Sequence, residues 1–137
     1  MKNLQTKMIA FCDYASISRE NKLSIMGIFD EVRVTQLPGG IARAFFVAVL
    51  SGEPNASYQL TVTGSVGKKV VFQPIQINMQ LSANGQSNII VDLVNIGFPE
   101  EGKYDFVIQQ NKEKVGATSI NVIHVKQTQE VKYKLPN

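Results

Sequence analysis

One cysteine, one histidine and no tryptophan occur among the 137 residues. A single cysteine, Cys12, cannot form an internal bridge, so a disulfide scaffold is excluded. Cys12 and His124 together fall short of a zinc site, and no cofactor is expected. The missing tryptophan counts against a carbohydrate platform, where flat exposed aromatics dominate. Charge is also sparse, at 18% of residues against about 25% in an average soluble protein. No apolar run is long enough to cross a bilayer, and Met8–Phe11 is too short for a signal peptide, so a cytoplasmic location is expected. No window of eleven residues carries a helical repeat.

Valine and isoleucine number 15 and 13, against eight leucines. β-branched side chains are stiff at χ1 and pack well on a pleated surface, so this balance points to strands. Period-two alternation bears that out locally. Tyr58, Leu60 and Val62 alternate with polar neighbours, as do Ile75, Ile77 and Met79, and again Tyr104, Phe106 and Ile108. Turn signals separate the runs, Asn84-Gly85 being the clearest hairpin candidate, read as a type I′ turn. The expected strands are 6–16, 22–35, 42–51, 57–64, 68–73, 75–81, 87–96, 103–110 and 114–125. Pro74, with no N–H to give a ladder, should mark a bend or a change of sheet. Ile25–Phe29 is apolar on both faces, the pattern of an internal strand covered on both sides. Gly27 within it should mark a bulge or a close backbone approach.

The fold class expected is all-β: a two-sheet antiparallel sandwich of about seven to nine strands with an N-terminal hairpin. Residues 1–125 form one domain and 126–137 a short basic tail. The net charge of +3 divides unevenly, because Lys126, Lys132 and Lys134 oppose only Glu130. The body is near neutral, so specific nucleic-acid binding is not expected. Glu100, Gly102 and Tyr104 stand two apart before the Phe106 strand, a spacing like the tyrosine corner of immunoglobulin-like sandwiches.

Residues 11–32 carry Asp13-Tyr14-Ala15, a polar turn, then Lys22-Leu23-Ser24-Ile25-Met26-Gly27-Ile28-Phe29-Asp30, with Pro38 following. This stretch resembles a bacterial family of short proteins of unknown function. The resemblance implies a small immunoglobulin-like β-sandwich without an established activity, and it transfers no catalytic residue.

A two-residue Glu20-Asn21 turn would set Asp13 opposite Ile28 and Phe11 opposite Asp30. Asp13 and Asp30 would then lie diagonally on one apolar face, within about 8 Å. Such carboxylates need backbone N–H donors or a basic partner. A cation site or a proton-sharing pair is the sharper alternative, although two acids fall short of the usual ligand count for a cation.

Catalytic constellations are missing. His124 lies in the last strand, Cys12 reads as a small packing residue, and Gly64–Lys69 lacks the spacing of a phosphate loop. The reading is a non-enzymatic domain that binds another protein or itself. Gln76, Asn78 and Gln80 form the candidate interaction face, and no membrane partner is expected. The alternative is a module for a small ligand, a saccharide or a cation.

Overall fold

The computed structural model describes residues 3–126, and the tail beyond Lys126 lies outside the described residues. Ten strands follow one another: β1 (Gln5–Ile17), β2 (Leu23–Phe29), β3 (Glu31–Val34), β4 (Gly39–Ser51), β5 (Ser57–Val66), β6 (Lys69–Val70), β7 (Ile75–Gln80), β8 (Gln86–Phe98), β9 (Gly102–Gln110) and β10 (Glu113–His124). There is no helix among the described residues.

The strands form two sheets. Sheet I has the order β2-β1-β4-β8. Sheet II has the order β3-β10-β9-β5, with β6 and β7 both paired to the far side of β5. Among the described residues all pairings are antiparallel except β3 with β10. The alternation read from the sequence sets the inward faces. Tyr58, Leu60 and Val62 of β5 and Tyr104, Phe106 and Ile108 of β9 are buried from sheet II. Phe46, Ala48 and Leu50 of β4 meet them from sheet I. The Phe11 ring packs edge-on against Phe46 at 5.3 Å and Phe106 at 4.4 Å between centroids, tying the two sheets at their centre. Such tilted aromatic contacts add to the burial of apolar area.

Four expectations are revised. There are ten strands rather than seven to nine, because the run expected over 22–35 breaks at Asp30. β2 stays in sheet I and β3 enters sheet II, so the chain crosses between the sheets at this bend. The Asp30 carbonyl oxygen accepts the Asn121 N–H at 2.8 Å, which holds the crossing point against β10. The segment 68–73 contracts to the two-residue β6, and Pro74 sits in the bend between β6 and β7, both on β5.

The Asn84-Gly85 turn forms, but it joins strands of different sheets, β7 and β8. Only Gly85 has positive φ there, at 78°. The Gly85 N–H donates to Ser82 and the Ser82 N–H to Gln86, a three-residue loop in place of the type I′ pair. The fourth revision concerns β2, which among the described residues is an edge strand of sheet I rather than an internal one.

Candidate interaction face

The hairpin β1–β2 turns through the same kind of three-residue loop. Asn21 adopts φ 65°, its N–H donates to Ser18, and the Ser18 N–H donates to Lys22. The loop is one residue longer than a Glu20-Asn21 turn, so every pair slips by one. Cys12 pairs with Ile28 and Tyr14 with Met26. A one-residue slip exchanges the faces of a strand. Asp13 therefore stands across from Gly27, not Ile28, and Phe11 pairs with Phe29, not Asp30.

Asp13 and Asp30 are both exposed, and neither carboxylate makes a hydrogen bond or ion pair to a described residue. The diagonal pair on a buried face does not form. Gly27 has φ +69°, and a Cβ there would collide with the Asp13 carboxylate. Glycine suits the position on both counts.

Gly102 and Tyr104 stand at the crossover from β8 in sheet I to β9 in sheet II. The Tyr104 hydroxyl donates to the Glu100 carbonyl oxygen at 2.5 Å and accepts the Glu100 N–H at 3.2 Å. The side chain is fully buried, with its ring edge-on to Phe98 at 5.1 Å. Gly102 holds φ +142°, a conformation residues with a Cβ rarely adopt. Glu100 itself pairs with Lys69 at 2.8 Å on the surface, and this contact raises the Lys69 amine above its ordinary pKa.

Gln76, Asn78 and Gln80 all project into solvent from β7, which among the described residues pairs only with β5. The Gln59 amide bonds to Gln76 at 3.4 Å and the Gln80 amide to the Asn55 carbonyl at 3.3 Å. The edges of β7 and β8 flank an open groove of about 480 Å³, floored by Ile75, Ile77, Met79 and Val91.

The residues that sequence reasoning missed lie on the outer face of sheet I. The cross-strand pairs Cys12–Ile28 and Cys12–Phe45 set Ile28, Cys12 and Phe45 in one row. The pairs Tyr14–Met26 and Val47–Ile90 continue it to either side. Cys12, Ala15, Phe45 and Val47 form a second apolar cluster, separate from the core between the sheets, with Met8, Leu23, Ile25 and Ile90 packed against it. Around it Met26 is 64% exposed, Ile28 65%, Tyr14 51% and Val94 61%.

Tyr14 stacks edge-on against Phe45 at 5.5 Å. The Arg43 guanidinium lies 5.1 Å from the same ring and grips Asp92 through two hydrogen bonds, at 2.8 and 2.6 Å. That grip holds the Asp92 carboxyl below its usual range and the Arg43 guanidinium above its own. The sequence signal for this face was present in the apolar doublets Phe45-Phe46 and Phe11-Cys12, which fill both sides of their strands.

The one cysteine and the one histidine are held by packing and hydrogen bonds. The Cys12 thiol is buried and donates to the Phe45 carbonyl oxygen at 3.7 Å, and burial pushes its pKa up. His124 Nε2 bonds to the Thr35 carbonyl at 3.1 Å, and its backbone N–H donates to the Glu101 carboxylate at 2.8 Å. Among the described residues, no three His, Cys, Asp or Glu side chains come together as a metal site. No described helix is long and apolar enough to cross a membrane.

A family model matches residues 7–123, nearly the whole sandwich. The chain belongs to DUF6941, a family of unknown function.

No curated protein matches the chain in sequence. Among solved structures, this DUF6941 domain is similar to part of a β-glucosidase from Listeria innocua bound to glucose, with TM-score 0.54 and 9% identity over 92% of the chain. It is also similar to part of a β-glucosidase from Bifidobacterium adolescentis, with TM-score 0.51 and 13% identity over 88% of the chain. The chain spans only 16% and 17% of those two enzymes, so the likeness is one of fold. An immunoglobulin-like protein from Pseudomonas aeruginosa matches at TM-score 0.47 and 14% identity, over 88% of this chain and 96% of that one.

Proposed function

We propose that this DUF6941 domain is a non-catalytic, cytoplasmic interaction module that binds a protein, a second copy or another molecule, through the outer face of sheet I. The observation that carries this is the apolar cluster of Cys12, Phe45 and Val47 ringed by exposed Tyr14, Met26, Ile28 and Val94. Soluble monomers rarely leave a contiguous apolar surface of this kind open, and such surfaces mark contact sites. Tyr14 and the Arg43–Asp92 pair supply what an interface centre uses: a rigid aromatic anchor and a planar, bidentate charge pair. The polar edge formed by Gln76, Asn78 and Gln80 offers hydrogen bonds but little apolar area. It therefore ranks behind the sheet I face.

The test is light scattering together with affinity capture for the full chain and for Met26→Glu/Ile28→Glu. Both positions are exposed, so the fold tolerates the change. Self-association or a captured protein should be lost in this variant and kept in Gln76→Ala/Asn78→Ala. Retention in the first variant, or loss only in the second, would overturn the assignment. Fractionation of cells carrying the tagged chain tests the cytoplasmic setting.

A further inference from the structure

Among the described residues β2 ends sheet I with one backbone edge unpaired. The hairpin fixes which residues face that edge. Ser18 and Lys22 form a hydrogen-bonded pair, closed by the Ser18 N–H on the Lys22 carbonyl. Such pairs recur at every second position of an antiparallel ladder. Ser24, Met26 and Ile28, which oppose Ser16, Tyr14 and Cys12, therefore turn their N–H and C=O groups toward β1. Leu23, Ile25, Gly27 and Phe29 turn theirs to the free edge.

The two ends of the strand carry opposite charge. Lys22 precedes β2 and Asp30 follows it, and both are exposed. The Asp30 carboxylate has no described partner. Lys22 reaches Glu20 at 3.7 Å, with both side chains more than three-quarters exposed, a contact that contributes little. A strand with a cation at one end and an anion at the other is complementary to an antiparallel copy of itself.

The free-edge residues limit the register. Residues that exchange hydrogen bonds must oppose one another, so odd positions of one copy face odd positions of the other. Within that set, pairing centred on Met26 places Lys22 opposite Asp30 of the second copy at both ends. Pairing centred on Ile25 places Glu20 opposite Asp30, like against like, and pairing centred on Gly27 places Ser24 there. β3, in the other layer on this side, brings no uncompensated charge, because its Arg33 and Glu31 are joined at 2.8 Å.

We propose that two copies of this chain pair antiparallel through β2, about a two-fold axis at Met26, and merge their four-stranded sheets into one. The inference rests on the reading of the sheet I outer face as a contact surface, and it names the occupant as a second copy. A two-fold axis normal to the sheet keeps both outer faces on the same side. Met26 and Ile28, 64% and 65% exposed in the single chain, come together at the seam. The backbone groups of both free edges are satisfied in one step. The two Lys22–Asp30 contacts fix the register.

Met26→Cys tests this in the full chain. Across the axis it meets its own counterpart in a non-hydrogen-bonded pair, with Cα atoms about 4.5 Å apart. That lies within the span of about 4.4–6.8 Å that a disulfide accepts. Mild oxidation of this variant should give a covalent dimer. The exposed control Val94→Cys should stay single, and buried Cys12 should not react. Light scattering of the unaltered chain should give twice the chain mass. Lys22→Asp or Asp30→Lys alone should raise the dimer dissociation constant roughly tenfold, and Lys22→Asp/Asp30→Lys should restore it. Three results would overturn the proposal: a monomer at every concentration, cross-linking in Val94→Cys in place of Met26→Cys, or a double exchange that stays as weak as the single ones. The outcome is separable from that for the interaction face. Capture of another protein by a chain that stays monomeric, lost in Met26→Glu/Ile28→Glu, refutes the β2 pairing alone. Absence of any association refutes both.

Discussion

Removing one oxygen atom tests how the two sheets are held in sequence. In Tyr104→Phe the ring keeps its edge-on contact with Phe98, so packing is nearly unchanged. What disappears is the hydroxyl that donates to the Glu100 carbonyl and accepts the Glu100 N–H. A net hydrogen bond contributes about 1 kcal/mol, and a polar group left without its partner costs about 1–3 kcal/mol. The Glu100 backbone lies at the surface turn, where water can reach part of it, so the expected loss is about 1–3 kcal/mol. Unfolding entropy for 137 residues is about 0.29 kcal/mol per kelvin at Tm, which converts that loss to a fall of about 3–10 °C. Calorimetry measures the fall. Hydrogen exchange should show the Glu100 amide opening faster while β4 and β5 amides slow or quicken only with global stability. Urea unfolding should give an unchanged slope, because the same surface is exposed. A Tm within about 1.5 °C of the parent, corresponding to less than about 0.5 kcal/mol, would refute the claim that this phenol fastens the β8–β9 crossover.

Three further outcomes follow from the same geometry. Gly27→Ala should lose about 1–2 kcal/mol from its positive φ, and Asp13→Gly in that background should recover the part due to the carboxylate clash; denaturant unfolding of both measures it. The buried Cys12 thiol should resist an aromatic disulfide reagent in the native protein and react on unfolding. Since its folded pKa is raised, its contribution is full below the ordinary thiol range, about pH 8.5, and is lost as pH rises through the folded value; a falling Tm in alkaline buffer that flattens in Cys12→Ala checks the sign. Asp92, with its folded pKa lowered by Arg43, stabilises above its unfolded pKa and loses that contribution as pH falls through the folded one. An NMR titration should place its midpoint below that of a free aspartate, and Arg43→Met should move it back up.

The strands with one wet face were legible in the sequence because a pleated strand shows its environment every second residue. β5, β7 and β9 could be read from Tyr58, Ile77 and Phe106 outward. The break at Asp30 could not. Residues 22–35 are uniformly compatible with a strand, and what bends the chain is the pairing of β3 with β10, some ninety residues away in sequence. The candidate site suffered in the same way. Whether Asp13 met Ile28 or Gly27 turned on a single loop residue, and only the Ser18–Lys22 hydrogen bond decides it. The Gly102–Tyr104 spacing was readable because its hydrogen bond closes within four residues.

By itself, then, the sequence determined an all-β domain without disulfide, built from short alternating strands, because local stereochemistry and side-chain period act over a few residues. Tertiary structure alone decided which strands end the sheets. Val, Ile and Phe on both faces of a strand announce cover on both sides, but not which neighbour supplies it. In sheet I no described element covers the outer face, so Met26 and Ile28 of β2 and Tyr14 of β1 stand open there, while pairing order, a property of the whole chain, placed β2 at the rim.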